Sequence, residues 1–307
     1  MYINMSFKPI YKLLDWIPIE KLNKSELSFL EKSIDFLIKN KKFINWKHIS
    51  SNSNAISLID DYFLEYDKNK KNLKNKNIKI NFEWLSENEN AIHILKKYKK
   101  RINWKKLSLN KNAIFLLKEN LDKICWINLS SNENAIDILE NNLDKIDWDV
   151  LSTNKNAIDI LKKNLDKINW ELLTTNENAI ELLNENQDKI YYEYLCNNPN
   201  SKVIPLIFKN ISKINFSFLC LRKEQEIISY IEKNFINLIE EDWNNLDSIC
   251  INKETFYLIE KNLDYLSNKY NNFFWYSLCE NENALELLKI NKDKINWKIL
   301  SSNEGIF

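Results

Sequence analysis

The sequence has very little glycine and proline: one glycine, Gly305, and four prolines in 307 residues. Glycine-rich phosphate-binding loops need glycines where the backbone must approach a phosphate closely. β-Sandwiches and β-barrels need many tight turns, which are rich in glycine and proline. This composition therefore argues against both fold classes and against a nucleotide-binding loop.

Residues that bind metals or form disulfides are also scarce. The five cysteines are an odd number, widely spaced and without a C-x-x-C pair, which argues against a disulfide framework and a zinc site. The two histidines, His48 and His93, lie far apart and are not part of an H-x-x-x-H pattern. No nucleophile is found with a base and an orienting group. We expect no catalytic residues, no metal, no cofactor and no small-molecule substrate.

The chain lacks the segments that would direct it to or through a membrane. Its first residues do not combine a basic start with a clean apolar run, and no apolar segment reaches 18 residues. The formal net charge is +1, so no global field favours nucleic acid or an anionic membrane. We expect a protein of a reducing intracellular compartment that is not secreted and does not span a membrane.

What the sequence does have is a tandem repeat of 22 residues. Four successive units between Trp104 and Ile190 each open with Trp and continue as L-S/T-x-N-x-N-A-I-x-L-L with few changes. A period of this length is typical of a solenoid, in which each unit buries its apolar face against its neighbours. The aromatic residues predicted to open the units are Trp46, Phe82, Trp104, Trp126, Trp148, Trp170, Tyr192, Phe216, Trp243, Trp275 and Trp297.

Each unit is predicted to contain two short helices. In the unit that opens at Trp148, Asp147 is placed as an N-cap, and Trp148 and Leu151 lie three apart on one helix face. Asn154 is a second N-cap, and the run that follows has the apolar spacing of an amphipathic helix. Asn164 is placed to end that helix in a left-handed turn.

The competing fold for this period is the leucine-rich repeat, whose strand would need alternating apolar residues. The apolar run here reads I-x-I-L or I-x-L-L, which is helical spacing. We therefore predict an all-α fold, a right-handed-type α-solenoid of about eleven 22-residue, two-helix repeats with N- and C-terminal caps. At helix spacings of 8–10 Å, the stack would form a rod or arc on the order of 100 Å long.

Four segments follow from the spacing of the openers. Residues 1–23 do not fit the unit pattern and are predicted to cap one open end of the stack. Residues 24–200 are regular repeats, interrupted at 67–79 by a Lys/Asn-rich insertion that should be an exposed flexible loop. Residues 201–274 are degenerate repeats with longer connections. Residues 275–307 hold the last regular repeat and a truncated unit that should form the C-terminal cap.

The consensus W-x-x-L-S-x-N-x-N-A-I-x-L-L-x-x-N-x-D-K-I resembles a tandem repeat of uncharacterised proteins from giant nucleocytoplasmic large DNA viruses. The common N-P-N-A-I form of that repeat is kept here only at Asn198-Pro199-Asn200. The start LLDWIPIEKLN and the end SSNEGIF also resemble the first and last segments of those proteins. The resemblance implies a viral origin and a repeat scaffold, and it assigns no site residues.

Two repeated features could serve as base-reading devices. The aromatic openers could stack single-stranded bases, but they are in phase with leucines, so we favour packing in the core. Paired asparagines, such as Asn154 and Asn156, could read one base per unit. Such a code needs variable residues, whereas these are nearly constant. Capping and hydrogen bonding between units explain them better.

One charge cluster suggests an anionic partner. Residues 67–107 contain 13 Lys and Arg against four Asp and Glu, whereas 222–261 contain five basic and nine acidic residues. A solvated lysine loop is the simpler interpretation of the basic region; docking of nucleic acid, an acidic protein surface or lipid headgroups is the functional one. The candidate binding residues are Lys70, Lys71, Lys74, Lys96, Lys97, Lys99, Lys100 and Arg101.

The sequence therefore predicts a non-enzymatic scaffold that binds a protein, either a virion component or a host protein. The alternative is a solenoid that binds nucleic acid through the basic region 67–107. The near-neutral net charge places this alternative second.

Overall fold

A computed structural model of the chain describes residues 11–69, 79–270 and 273–307. Over these residues the protein is all-helical, with short α-helices and 3-10 turns and no strand. Neighbouring helices contact one another in chain order. The prediction of an all-α repeat solenoid is therefore confirmed.

Twelve repeat units are present, and we number them by the residue equivalent to Trp148, which we call the opener. A complete unit contains a first helix at the opener, a second helix, and a closing 3-10 turn or helix before the next opener. Among the described residues, units 2 and 9 have no closing element and unit 12 has no second helix. In unit 6 these elements are Trp148–Thr153, Ile158–Lys162 and Leu165–Lys167. The openers of units 1–12 are Lys24, Trp46, Phe82, Trp104, Trp126, Trp148, Trp170, Tyr192, Phe216, Leu246, Trp275 and Trp297.

The element bounds follow this plan throughout. The first helices are Lys24–Phe29, His48–Ser51, Phe82–Glu87, Trp104–Leu107, Trp126–Ser130, Trp148–Thr153, Trp170–Thr174, Tyr192–Asn197, Phe216–Leu219, Trp243–Ile251, Phe273–Leu278 and Trp297–Leu300, of which His48–Ser51 and Tyr192–Asn197 are 3-10. The second helices are Ile34–Lys39, Ile56–Asn69, Ile92–Lys97, Ile114–Lys118, Ile136–Glu140, Ile158–Lys162, Ile180–Glu185, Ile204–Lys209, Gln225–Glu241, Phe256–Lys261 and Leu285–Ile290. The closing elements are Ile19–Lys21, Lys41–Phe43, Lys99–Arg101, Leu121–Lys123, Leu143–Lys145, Leu165–Lys167, Gln187–Lys189, Ile211–Lys213, Leu263–Tyr270 and Lys292–Lys294, of which Leu263–Tyr270 is α-helical. Further 3-10 turns precede second helices at Glu31–Ser33, Ser53–Ala55, Glu89–Ala91, Lys111–Ala113, Ser201–Val203, Lys253–Thr255 and Glu282–Ala284, and Glu304–Ile306 takes that position in unit 12.

Local hydrogen bonds explain why each helix begins and ends where it does. The Asp147 carboxylate accepts from the Val150 backbone N–H at 2.9 Å, as expected for an N-cap. The predicted left-handed turn at Asn164 is wrong, because its φ is −138° and its ψ is 53°. Its side-chain Nδ2 instead donates to the Ile160 carbonyl at 2.8 Å, which satisfies a free carbonyl at the end of the second helix.

The core is one continuous column of aliphatic side chains. The residue three after each opener is fully buried in all twelve units, and the alanines of units 2–7 and 11 are also fully buried where second helices begin. The column consists of Leu27, Ile49, Leu85, Leu107, Leu129, Leu151, Leu173, Leu195, Leu219, Ile249, Leu278 and Leu300. Most aromatic openers lie beside this column and are only partly buried.

A second column, of polar side chains, joins the units. Six residues after the opener, Asn154 donates from Nδ2 to the carbonyls of Ser130 and Asn132 in the preceding unit, at 3.0 and 3.2 Å. Because these groups are buried, each bond satisfies backbone that could not reach water. The residues that make this inter-unit bond are Asn52, Asn88, Asn110, Asn132, Asn154, Asn176, Asn198, Arg222, Asn252, Asn281 and Asn303.

The first and last units contact each other, so the stack closes into a ring. The Asn23 backbone N–H donates to Ser301 Oγ at 2.9 Å. The same bond joins other neighbouring units, for example from the Asp147 N–H to Ser130 Oγ at 3.0 Å. Lys21 lies 4.8 Å from the centre of the Trp297 ring, as Lys145 lies 4.9 Å from that of Trp126. The junction between units 12 and 1 therefore has the geometry of the internal junctions.

Unit 12 is built from both ends of the described chain. Residues 297–306 supply its first helix and the following turn, and residues 11–23 supply its closing turn, Ile19–Lys21. The Leu14 N–H donates to the Ile306 carbonyl at 2.8 Å, and the Phe36 and Phe307 rings lie 5.8 Å apart. The predicted open rod or arc is therefore wrong, because residues 11–23, from the segment predicted as the N-terminal cap, pack against residues 297–307, which were predicted as the truncated C-terminal cap.

The degenerate segment 201–274 continues the stack, with one error in the predicted openers. Trp243 is half exposed, and the position of an opener is taken by Leu246. Cys250 and Asn252 follow Leu246 at four and six residues, as Ser152 and Asn154 follow Trp148. The predicted loop at 67–79 is helical at its start, because the second helix of unit 2 continues to Asn69; residues 70–78 lie outside the described residues.

Candidate functional site

The predicted basic cluster lies at the end of unit 3, on the second helix Ile92–Lys97 and the turn Lys99–Arg101. Its five described members, Lys96, Lys97, Lys99, Lys100 and Arg101, are all exposed. The remaining candidates, Lys70, Lys71 and Lys74, lie outside the described residues.

Only one of the five cations is neutralised by a carboxylate within the described ranges. Lys97 Nζ lies 2.6 Å from Asp67, which also accepts from the Tyr98 hydroxyl at 3.0 Å. Burial and these contacts with Asp67 raise the pKa of Tyr98 to about 12. Lys96 and Arg101 lie instead over aromatic rings, 5.6 Å from the centre of Phe115 and 5.5 Å from that of Phe82. The cluster thus keeps a positive charge that its described surroundings do not cancel.

An apolar stripe continues from this cluster along the next three units. Leu121, Leu143 and Leu165 occupy the first position of three successive closing turns and are 44%, 44% and 47% exposed. Phe115, on the second helix of unit 4, is 63% exposed and contacts Lys96 at the border of the cluster. We call the surface formed by Phe115, the three leucines and the five cations the second-helix face.

Ion pairs between units border this stripe. Lys118 Nζ lies 3.4 Å from Asp137, and Lys162 Nζ lies 2.9 Å from Glu181, each pair joining the second helices of neighbouring units. An apolar centre with a charged rim is the composition of a protein-binding surface. Exposed pairs of this kind contribute little to folding, because water screens the charges.

The aromatic openers do not form a free stacking platform. Their rings are mostly partly buried against the core, while Trp275 is buried and Trp243, which is not an opener, is half exposed. Several carry a lysine of the following closing turn on the ring, as Lys123 does at 4.8 Å from the Trp104 centroid. The lysine occupies the face that a base would need. The geometry therefore favours a structural role for the aromatic openers over base stacking.

The constant asparagines are occupied by hydrogen bonds within the protein. Asn154 is 2% exposed, accepts from the Asn156 N–H at 3.0 Å, and donates to the preceding unit as described above. Asn156 donates from Nδ2 to the Glu133 carbonyl at 3.0 Å. The buried Asn154 amide cannot reach a nucleic-acid base, and the exposed Asn156 amide already donates to a backbone carbonyl of the preceding unit.

Sequence reasoning missed a partly buried ion pair at unit 9, in which Arg222 is buried and Glu224 is partly exposed. In most other units, an asparagine six residues after the opener bonds to the preceding unit; we call it the ladder asparagine. Arg222 takes its place and donates to the carbonyls of Cys196 and Asn198. It also forms a salt bridge with Glu224. Burial alone would raise the pKa of Glu224, but hydrogen bonds from Arg222 and the backbone outweigh it and lower the pKa below 4.5. The sequence did indicate the role of Arg222, because Arg222 follows the opener Phe216 by six residues, as Asn154 follows Trp148.

Four of the five cysteines are buried in the stack. Cys196, Cys220 and Cys279 stand where other units have Ser or Thr, and burial raises the pKa of their thiols to about 12, 12 and 11. Burial also raises the pKa of Cys250. Cys125 is partly exposed, at the position before the opener Trp126. The interpretation of the first three as small buried substitutes is confirmed.

Within residues 11–69, 79–270 and 273–307, no cluster of His, Cys, Asp and Glu has the arrangement of a metal site. In the same ranges no helix is long and apolar enough to cross a membrane. Comparison with known proteins found no family model, no curated protein and no solved structure that matches the chain.

Proposed function

We propose that the protein is a non-enzymatic, ring-shaped scaffold that binds another protein through its second-helix face. One observation carries the proposal: Leu121, Leu143 and Leu165 occupy the same position in three adjacent units, and all three are exposed. Because each leucine is 44–47% exposed, burial of its remaining surface is worth roughly 1 kcal/mol, about half the value for a fully exposed side chain of this size. A partner spanning three units would cover all three.

Charge specifies the chemistry of that partner further. The stripe begins beside Lys96, Lys99 and Lys100, which have no carboxylate within 4.0 Å among the described residues. A partner with apolar side chains in line and acidic groups at one end would complement both parts of the face. We propose that the acidic end contacts unit 3 and the apolar part contacts units 4–6.

Affinity purification tests this proposal. The variant Leu121→Ser, Leu143→Ser, Leu165→Ser should recover far less of the partner than the unaltered chain does. The control is the pair Ile127→Ser and Tyr191→Ser, because both residues are similarly exposed but precede or follow an opener, away from the second-helix face. Equal recovery by the triple variant and the unaltered chain would contradict the assignment of the face.

The resemblance of the repeat to proteins of giant DNA viruses supports a proposal about the setting. We propose that the chain acts inside an infected cell or within a virion, and that its partner is a host protein or a virion component. Purification should therefore be carried out from infected-cell lysate and from disrupted virions in parallel. The fraction in which the partner is recovered distinguishes the two.

The unpaired cations favour a second candidate function, binding of nucleic acid by unit 3. This function predicts an affinity that falls steeply with salt, because bound phosphates release counterions. Changing Lys96, Lys99, Lys100 and Arg101 to Glu should abolish it, whereas Lys41→Glu with Lys42→Glu, in the turn of unit 1, should not. If the quadruple variant binds nucleic acid with unchanged affinity, nucleic-acid binding by unit 3 is eliminated as a function.

A further inference from the structure

A departure from the regular repeat builds an apolar cavity between units 10 and 11. The first helix of unit 10, Trp243–Ile251, begins three residues before its opener, and that of unit 11, Phe273–Leu278, begins two residues before Trp275. These two helices contact each other along their length. The additional residues bring the Trp243 and Phe273 rings to 5.3 Å between centroids, edge to face at 83°.

The cavity has a volume of about 280 Å³ and is lined mainly by aromatic rings. Trp243 and Phe273 are 50% and 62% exposed, which places them at its entrance, while Phe274 is buried. Pockets for whole small molecules have volumes of roughly 300–1,000 Å³. This cavity is therefore suited to a compact chemical group rather than to a large cofactor. Its wall includes Trp243, Asp247, Tyr270, Phe273, Phe274 and Ser277.

The cavity wall carries one carboxylate without a basic partner. Asp247 is partly buried and accepts a hydrogen bond from Ser277 Oγ. In the described part of the chain, no Lys or Arg nitrogen lies within 4.0 Å of it. Burial, and after it the charge of Asp247, raise the pKa of Glu280. The surrounding segment 222–261 is itself acidic. The site therefore favours a cation.

We propose that this cavity binds a quaternary ammonium group. Aromatic faces attract cations through their quadrupoles, and the carboxylate adds a full negative charge. A primary ammonium is strongly hydrated and needs acceptors for three N–H groups, whereas this mainly aromatic wall offers one carboxylate, Asp247, which already accepts from Ser277. A trimethylammonium group has no N–H to satisfy and presents methyl groups to the rings.

Calorimetric titration with two ligands of the same shape tests the proposal. Choline carries the charge, and 3,3-dimethyl-1-butanol is its neutral counterpart. Choline should bind at least about tenfold more tightly, because both the rings and Asp247 act on the charge. Equal affinity for the two ligands, or no binding of choline at millimolar concentration, would overturn the proposal.

Variants assign the binding to this cavity. Trp243→Ala and Asp247→Asn should each weaken choline binding about tenfold, and Trp243→Phe should restore most of the Trp243 contribution. Trp243 is half exposed, so its removal should leave the unfolding temperature nearly unchanged. Tyr191→Ala is the matched control, because Tyr191 is 45% exposed and lies outside the cavity. Choline binding that survives both cavity variants would contradict the assignment.

Two sources could supply the ammonium group, and peptides distinguish them. A lysine-containing peptide is titrated in its trimethylated and unmodified forms beside choline. Tighter binding of the trimethylated peptide than of choline identifies a modified protein as the source, and equal binding identifies a free or lipid-borne choline headgroup. Unmodified peptide that binds as tightly as the trimethylated form would refute selectivity for a quaternary ammonium.

Discussion

The backbone N–H of Asn23 and the hydroxyl of Ser301 are 278 residues apart in sequence and 2.9 Å apart in space. Asn23 precedes the opener of unit 1, and Ser301 follows the opener of unit 12 by four residues. Pairs at these two positions join units throughout the regular part of the stack, at 2.9–3.0 Å in most cases. The two ends of the described chain therefore meet as consecutive units do.

Closure removes the exposed ends that an open solenoid must protect. In an open stack the terminal units would present apolar side chains to water. Here Leu27 in unit 1 and Leu300 and Ile306 in unit 12 are fully buried. The ring obtains this burial from its own two ends, because each supplies part of unit 12.

Removal of one ladder asparagine should destabilise the ring strongly. Asn154→Ala removes two donations to the preceding unit and leaves the Asn156 N–H without its acceptor. Because these groups are buried, we expect a loss of about 2–3 kcal/mol in the free energy of unfolding.

The matched control for this variant is Asn156→Ala, which loses one exposed bond to the Glu133 carbonyl and should cost less than about 1 kcal/mol. Chemical denaturation followed by circular dichroism measures both losses. A cost for Asn154→Ala no greater than that for Asn156→Ala would contradict the role of the ladder.

The repeat unit could be predicted from sequence because its determinants are local. The helix start at Trp148 follows from the capping residue Asp147, and the apolar spacing of the second helix follows from its period. The third element, the turn Leu165–Lys167, was missed because three residues are too few to show a period. Ring closure was missed because it depends on the small rotation between units, summed over twelve junctions. The total rotation cannot be derived from the sequence of any single unit.

Acid should destabilise the protein partly through Glu224. The pKa of this carboxyl is lower in the folded protein than its ordinary value of 4.5, so the unfolded chain binds the proton more readily. The stabilisation is therefore fully present above pH 4.5 and is lost as the pH falls below that value.

A comparison with Glu224→Gln isolates this contribution. Because the variant cannot ionise at this position, its free energy of unfolding should fall less than that of the unaltered chain between pH 6 and pH 3. Urea unfolding of both proteins at both pH values gives the four free energies of unfolding that this comparison needs. An identical decrease in both proteins would show that the Arg222–Glu224 pair does not contribute.

Thiol chemistry should distinguish Cys125 from the other cysteines. Cys196, Cys220, Cys250 and Cys279 are buried with raised pKa values, whereas Cys125 is partly exposed. The thiolate is the reactive form, so the native protein should release close to one equivalent of thionitrobenzoate rapidly from Ellman's reagent at pH 8. Cys125→Ser should abolish this fast phase, and denaturation should expose all five thiols. Rapid reaction of two or more thiols in the native protein would contradict the burial.

The surfaces of the ring were less predictable than its core. The basic cluster at Lys96–Arg101 was visible as a run of charge, but its contact with Phe115 depends on how neighbouring second helices align. The cavity at Trp243 was not predicted, because the spacing of the aromatic residues had led to Trp243 being interpreted as an opener. Cys250 and Asn252, which follow Leu246 at the repeat's own spacing, carried the information needed to place it correctly.

Ring closure is tested most directly by a distance between the two ends of the described chain, which meet in unit 12 beside its junction with unit 1. In a Cys125→Ser background, spin labels are attached at Glu20→Cys in the closing turn of unit 12 and Lys298→Cys in its first helix, two exposed positions. The control pair is Asp144→Cys with Ile127→Cys, which occupies the same two positions within unit 5. Closure predicts that both pairs give the same narrow distribution, below about 30 Å, since packed helices lie 8–10 Å apart. A control distance below about 30 Å with a junction distance far beyond it, approaching the ~100 Å of an open stack, would contradict the ring.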